Sequence, residues 1–243
     1  MASWPNVGVM SERKWPAGWQ VDWVKSTGST NADLVALAQH TPGDRRVLVA
    51  DFQSAGRGRL DRRWDAPSGA NLLVSLLFRD VPRGRHELTQ RVAMAARSAC
   101  QLTTGVSPEL KWPNDLLLDG RKLAGVLAEG GHSPDGPFVV VGLGLNVGWA
   151  PPDGAMLGGA VTVHQVLVAL LTAYDALPTE IHPLYRSRLA TLGQLVRVEL
   201  PGDEIIVGRA IDVEADGRLV VIDDCAMIHR IDTGDVVHLR RLQ

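Results

Sequence analysis

Apolar positions recur along this 243-residue chain in two rhythms. Through residue 192, short apolar runs of strand length alternate with longer stretches at helical spacing; from Gly193 onward only short strands separated by turns follow. Val21 to Val24 reads as a first short strand, and Ala32 to Ala38 as a helix entered through the polar run Ser26 to Asn31. Thr30 with Asp33 three residues later resembles a capping pair. That polar cluster either caps the helix and nothing more, or also faces a ligand at the positive helix end. Val47 to Asp51 and Asn71 to Phe78 are further strand runs. His86 to Thr104 places Leu88, Val92, Ala95, Ala99 and Leu102 at helical intervals and stops at Gly105, which puts Cys100 in a core.

The next stretch predicts three adjacent antiparallel strands. Asp119-Gly120 between apolar runs is a hairpin signal joining residues 110 to 118 with 121 to 128, and a second turn at His132 to Gly136 leads into Phe138 to Val147. Gly142 and Gly144 leave that last strand a bare ridge, the mark of close approach by another element or a ligand. Pro151 to Ala160 is linker-like, Val163 to Leu177 a helix, and Pro183 to Leu192 another helical candidate. Val196 to Leu200, Ile205 to Val213, Leu219 to Ile222, Ala226 to Ile231 and Val236 to Leu239 then predict a small β-barrel over 193–243, placed after a main domain of residues 1–192. Residues 1 to 20, with Trp4, Trp15 and Trp19 among prolines and glycines, are expected to wrap the main domain's surface.

Composition narrows the class. With 45% hydrophobic and 21% charged residues the chain reads as a globular protein, and the net charge of −2 disfavours bulk nucleic-acid binding. No apolar run reaches membrane-span length and no leader pattern opens the chain, so neither export nor insertion is expected. Two distant cysteines without metal-type spacing suit a reducing cytoplasm.

Against this neutral background one loop stands out. Residues 53 to 64 interleave Gly56 and Gly58 with Arg57, Arg59, Arg62 and Arg63, without the periodicity to bury a face. The segment reads as a mobile cationic loop whose guanidinium forks suit phosphate or carboxylate, or else as a solvated basic surface or nucleic-acid contact. Lysine is rare: of 25 basic residues, 21 are Arg, and two of the four lysines, Lys111 and Lys122, fall inside motifs. The hairpin is expected to bring both ammonium groups into one neighbourhood, the alternative being ordinary surface lysines. Beside Lys111, Asn114 and Asp115 suit Mg²⁺, ribose or adenine, or a turn alone. No Walker A pattern, zinc spacing or Ser-His-Asp arrangement occurs, and none of the seven histidines is assigned.

Together these motifs carry a resemblance. Gly28 to Asn31, Gln53 with Ala55 to Arg59, Trp64, Gly69 to Asn71, Lys111 to Asp115, Arg121 to Gly125 and Gly142 to Val147 resemble, in order, the biotin protein ligases. The resemblance implies an α+β fold: a mixed, largely antiparallel central sheet with flanking helices, like the class II aminoacyl-tRNA synthetases, plus a C-terminal SH3-like β-barrel. It implies attack of the biotin carboxylate on the α-phosphate of Mg·ATP, giving biotinyl-5′-AMP and pyrophosphate, then transfer to a lysine of a biotin carboxyl carrier domain. It assigns Lys122, Arg57 and Arg59 to catalysis. Ser29, Thr30, Asn31, Gln53, Gly56, Arg57, Lys122 and Gly125 would surround biotin. Arg57, Arg59, Arg62, Trp64, Lys111, Asn114, Asp115 and Asn146 would surround ATP or the adenylate, with Asp115 on magnesium.

The resemblance leaves a homodimer open and implies no DNA partner, since about 20 residues precede the first strand and a helix-turn-helix domain needs more. Asp61 departs from the glycine common in the family, and is expected to moderate the loop's repulsion rather than to catalyse. Two competing readings stand beside this one: a lipoate or octanoate ligase or transferase sharing part of the chemistry, and a non-catalytic nucleic-acid-binding regulator.

Overall fold

The computed structural model describes residues 14–60, 62–82, 84–202 and 204–238. Asp61 and Trp4, about which the sequence raises expectations, lie outside the described residues, as does Leu239.

Among the described residues twelve strands and four helices follow in order: β1 (Gln20–Thr27), α1 (Thr30–Ala38), β2 (Arg46–Gln53), β3 (Leu72–Phe78), α2 (Arg85–Thr104), β4 (Glu109–Lys111), β5 (Asp115–Leu118), β6 (Arg121–Ser133), β7 (Gly136–Leu145), α3 (Val163–Asp175), α4 (His182–Arg186) and β8 to β12 (Leu195–Glu199, Ile205–Val213, Leu219–Ile222, Ile228–Ile231, Asp235–His238). The first seven strands form one sheet, ordered β1-β2-β3-β7-β6-β5-β4. Only β1 and β2 run parallel, as the α1 crossover between them requires; the other pairs are antiparallel. The last five strands form an antiparallel sheet ordered β11-β10-β9-β8-β12, in which the recorded pairings leave β11 and β12 as edges.

Strand alternation sorts side chains onto two faces of the large sheet. Val47, Val49, Leu72, Val74, Leu76, Val139 and Val141 join the core that also contains α2 and α3. On the other face Leu48, Ala50, Leu77, Phe138 and Val140 form a smaller core with Leu34 and Ala38 of α1. This helix is short and covers only part of its face. Beyond its N-terminus the same face carries Ser75, Gly125, Gly142 and Gly144, so the period of two that fills the core leaves a hollow there.

Local chemistry sets the helix ends. Ser29, in extended conformation, is the N-cap of α1, its Oγ 3.5 Å from the Ala32 amide. Thr30 is therefore not the cap, and Asp33 accepts instead from the Thr27 hydroxyl. The capping-pair expectation fails because the helix begins one residue earlier in register, which frees the Thr30 hydroxyl for the sheet. Arg79 closes the other end, donating to the carbonyls of Ala38 and Thr41. Thr162 and Gln165 form a capping box on α3.

Two other expectations change. The helix proposed for Pro183 to Leu192 is a short turn of helix ending at Arg186. Trp19 is not a surface wrap: it is buried, edge-on to Phe78 and Tyr174, with Arg45 over its ring and its indole N–H on Asp175 at 3.0 Å. Between the two sheets, Trp112 donates its indole N–H to the Gly217 carbonyl at 2.9 Å, and the Thr191 hydroxyl accepts from the Trp112 amide at 3.0 Å. The turn after β4 is thus fixed to the C-terminal strands.

Candidate active site

The hollow on the α1 face opens into a cleft of about 350 Å³. Its polar end begins at the α1 N-terminus. Gln53, at the end of β2, accepts through Oε1 from the Thr30 amide at 2.7 Å and the Thr30 hydroxyl at 3.0 Å. Ser75 Oγ lies 2.8 Å from Thr30 Oγ1 and 2.6 Å from Asn31 Oδ1. Thr30 and Ser75 thus supply two hydroxyl hydrogens to three close contacts, and the side-chain amide N–H₂ of Gln53 is a donor left for a ligand among the described residues.

Asn31 is different. Its amide nitrogen donates to the Leu127 carbonyl at 3.2 Å and Glu129 Oε2 at 2.7 Å. Its donors are turned into the wall, not into the cleft. Gly142 makes room for it: a Cβ there would meet Asn31 Oδ1 at 2.3 Å.

The floor is aromatic. Trp64 packs so closely on β7 that a Cβ at Gly144 would meet its Cε2 at 2.4 Å, and one at Gly125 its Cζ3 at 3.3 Å. The bare ridge expected of Gly142 and Gly144 is therefore filled by Asn31 and Trp64. The Trp64 indole nitrogen is buried without a hydrogen bond, an orphan donor beside the cleft.

The basic loop forms the lid and is more built than its composition suggests. Arg57 and Arg63 bridge in antiparallel fashion, the Gly58 amide donates to the Arg62 carbonyl at 2.6 Å, and the Trp64 amide donates to the Gly56 carbonyl at 3.0 Å. Gly56 is required by this turn, since a Cβ would meet the Trp64 carbonyl oxygen at 2.3 Å. From this hairpin-like frame Arg57 reaches Glu129, with Nη2 3.0 and 3.2 Å from the two carboxylate oxygens. Arg62 pairs with Asp235 of β12, which holds its pKa above the ordinary value through hydrogen bonding and charge.

Arg59 differs from the other loop arginines in that its hydrogen-bond partners among the described residues are all neutral: Asn114 Oδ1 at 3.4 Å and Thr233 Oγ1 at 3.0 Å. Burial lowers its pKa, more than the nearby charges of Asp115 and Asp235 raise it. A partly desolvated guanidinium without a carboxylate is a ready partner for phosphate.

Lys122, mounted on β6 after the Asp119-Gly120 turn, places Nζ 2.7 Å from Asp115 Oδ1 and 5.7 Å from the Trp64 ring centre. The ion pair is close but off the hydrogen-bond direction, because Asp115 Oδ1 is buried and takes no hydrogen bond. Asn146 is buried below, donating to the Ala155 carbonyl at 3.0 Å and accepting from Asn71 at 3.1 Å. Asn71 in turn accepts from the amides of Val147 and Trp149. These two amides shape the loop after β7.

Lys111 is not part of the cleft lining. The turn at Trp112 to Asn114 folds β4 back onto the outer side of β5, with Lys111 opposite Asp115, so β4 is the sheet edge beyond β5. Its charge instead acts on His238. Lys111 and Lys122 thus flank the same residue, Asp115, from β4 and β6, although Lys122 alone of the two lines the cleft. The remaining motif residues, Ser29, Thr30, Asn31, Gln53, Arg57, Arg59, Arg62, Trp64, Asn114, Asp115, Lys122, Gly125 and Asn146, all line the cleft, while Gly56 shapes its lid. Sequence reasoning missed Glu129, Ser75, Thr233 and Asp235. Ser75 carried a signal, a lone hydroxyl inside an otherwise apolar strand; the others are ordinary polar residues far away in sequence.

No group of three or more His, Cys, Asp or Glu residues fit for a metal occurs among the described residues. Asp115 offers one carboxylate with an orphaned oxygen, enough for one contact to an ion brought in by phosphates but not for a protein-built cage.

Fold and site together define an α+β protein with a cleft that can hold an elongated, polyanionic ligand between a polar end and a cationic lid. Comparison with known proteins gives the family. The profile of the Biotin/lipoate A/B protein ligase family matches residues 23–146, and that of the Biotin protein ligase C terminal domain residues 191–239. Biotin–[acetyl-CoA-carboxylase] ligase of Mycobacterium tuberculosis is 40% identical over 92% of this chain and 91% of its own length. The bifunctional ligase/repressor BirA of Escherichia coli is 29% identical over 81% of this chain and 67% of its own. The structure of biotin protein ligase from Aquifex aeolicus in complex with biotin and ATP aligns with a TM-score of 0.76 at 26% identity, covering 91% of this chain and 99% of that one. The chain belongs to the biotin protein ligase family.

Proposed function

We infer that this protein attaches biotin to a specific lysine of a biotin carboxyl carrier domain, at the expense of ATP, through biotinyl-5′-AMP. A carboxylate oxygen of biotin attacks the α-phosphorus as the bond to the β-phosphate oxygen breaks, releasing pyrophosphate. The acceptor amine then attacks the acyl carbon, an amide forms, and AMP leaves with the anhydride's bonding pair.

Residue roles follow from where charge changes. Lys122 faces the biotin carboxylate and the α-phosphate, whose oxygens gain charge in the first step, and Arg57 and Arg59 cover the same centre from the lid. Gln53, Thr30 and Ser29 serve the ureido end. Trp64 provides an aromatic floor, Asn114 holds Arg59, and Arg62 lies at the nucleotide end. Asn31 and Asn146 build walls. Asp115 would offer a single carboxylate contact to magnesium carried in by ATP. The lid keeps water from the mixed anhydride. Two free cysteines suit action in a reducing cytoplasm, and no helix among the described residues is long and apolar enough to cross a membrane.

The observation that carries this reading is the cleft itself: a polar end at α1, where the Gln53 amide is left as a donor, and, across Trp64, Lys122 with Arg59, whose hydrogen-bond partners are neutral. Incubation with biotin, Mg·ATP and a purified carrier domain is expected to add one biotinyl mass to the carrier and release one pyrophosphate. A carrier modified by lipoate or octanoate in place of biotin would overturn the reading.

A further inference from the structure

We propose that Glu129 is a positioning residue: it sets Arg57 for the biotin carboxylate and ties the closing lid to the polar end of the cleft. Glu129 lies toward the far end of β6 and is not among the residues lining the cleft, so it acts through others. Its carboxylate is held on one side by Asn31, which donates to Oε2 at 2.7 Å. Asn31 cannot easily turn, because its second amide hydrogen is taken by the Leu127 carbonyl, its oxygen faces Ser75 at 2.6 Å, and Gly142 leaves it a fitted recess. On its other side the carboxylate receives Arg57 Nη2 at 3.0 and 3.2 Å. The side chain of Arg57 is 48% exposed and that of Glu129 28%. Rigidity therefore passes from the wall to the lid: the fixed amide orients the carboxylate, and the carboxylate orients the half-exposed arginine.

The choice of residue matters here. A carboxylate has acceptor oxygens for both neighbours, whereas a glutamine has one acceptor oxygen and turns an N–H₂ toward one of two donors. Only the acid satisfies Asn31 and Arg57 together. Lid position is thereby coupled to the α1 N-terminus, where the ureido end would bind, so occupancy of the polar end and orientation of Arg57 reinforce each other.

The proposal rests on the biotin ligase reading above, and a mutant cycle separates the two. Wild type, E129Q, E129A, R57A and the E129A/R57A double variant are compared by biotin-dependent exchange of pyrophosphate into ATP, by loss of bound biotinyl-5′-AMP, and by thermal melting. E129A is expected to lower kcat/KM for biotin about five- to tenfold, and to speed loss of the adenylate similarly, the scale of one charge-assisted contact in a partly exposed pair. E129Q should fall between E129A and wild type. In the R57A background, E129A should add less than about twofold, because the residue it orients is gone. Full multiplication of the two single effects would mean that Glu129 acts independently of Arg57, and wild-type behaviour of both E129A and E129Q would mean that it positions nothing; either overturns the proposal. An inactive wild type with biotin would instead overturn the underlying reading.

Discussion

Replacing Lys122 by Ala removes the one lysine that lines the cleft. Two consequences separate by magnitude. For folding, the lost partner is an ion pair in which the lysine side chain is 43% exposed and Asp115 17%. Solvent screens the lysine side, so the Coulombic loss is under about 1 kcal/mol, with a similar amount for the buried Asp115 oxygen left facing nothing. A domain of ordinary stability survives that. For catalysis, the ammonium on a strand faces oxygens whose charge rises as the pentavalent α-phosphate forms, so its contact strengthens toward the transition state. Removing one preorganised donor of this kind costs on the order of 3 kcal/mol, or about a hundredfold in rate. The loss should appear in kcat more than in KM, since it is a transition-state interaction. Lys122→Arg keeps the charge but presents a wider planar fork and should restore activity only in part. Pyrophosphate release reports the first step, and transfer from pre-made biotinyl-5′-AMP the second. Near-normal rates of Lys122→Ala in both assays would refute the assigned role and leave Arg59 as the group to test.

Gly144→Ala is expected to push Trp64 off the cleft floor, because the new Cβ would stand 2.4 Å from the indole Cε2; it should cost about 1 to 3 kcal/mol of stability and reduce adenylate formation at least tenfold, checked by melting and pyrophosphate release. Cys100 is buried and its thiol is pushed up to about 12 by that burial, while Cys225 is exposed. A thiol reagent should therefore titrate one cysteine in the native protein and both after denaturation. Burial, and then the charge of Lys111, lower the pKa of His238 from its ordinary 6.5. The unfolded chain then binds more protons than the folded one between the two values, so the stability contribution is present above about pH 6.5 and is lost as pH falls toward the depressed folded value. His238→Gln should flatten that part of the melting-temperature profile.

Much of this architecture was legible because local chemistry and global packing agree. Asp119 and Gly120 both take positive φ, 52° and 72°, as a tight hairpin turn requires. The bare positions at Gly142 and Gly144 correctly announced close approach, though not that Asn31 and Trp64 would be what approaches. The single strand expected over residues 110 to 118 is instead β4 and β5, because a proline-containing turn reverses the chain at Trp112, a reversal that apolar spacing alone does not show. Asn31 and Asn146 look like ligand contacts in sequence, and both line the cleft; only the structure adds that each also builds its wall, Asn31 through Glu129 and Leu127 and Asn146 through Ala155 and Asn71. Asp235 and Thr233 were invisible for a different reason. They reach the lid from the C-terminal sheet, more than 170 residues from Arg59 and Arg62.

The charge arrangement also constrains which ligands can close the lid. Lys122 faces Asp115, Arg57 faces Glu129, Arg62 faces Asp235 and Arg63 faces Asp65. A cleft of unpaired cations would repel itself and bind almost any anion. Here each of those cations already has a carboxylate, so an incoming anion gains only the difference between its own contacts and those it displaces. A monocarboxylate alone merely exchanges one oxyanion for another. A nucleoside triphosphate brings several charges at once, and Arg59, with its neutral partners, receives one of them without displacing a carboxylate. Lid closure should consequently depend on the nucleotide more than on biotin, and raising salt should weaken ATP binding while leaving biotin affinity nearly unchanged, because the screened charges matter chiefly for the polyanion. Equal salt sensitivity of the two affinities would contradict this reasoning, since it would mean that the carboxylates do not offset the lid's positive charge.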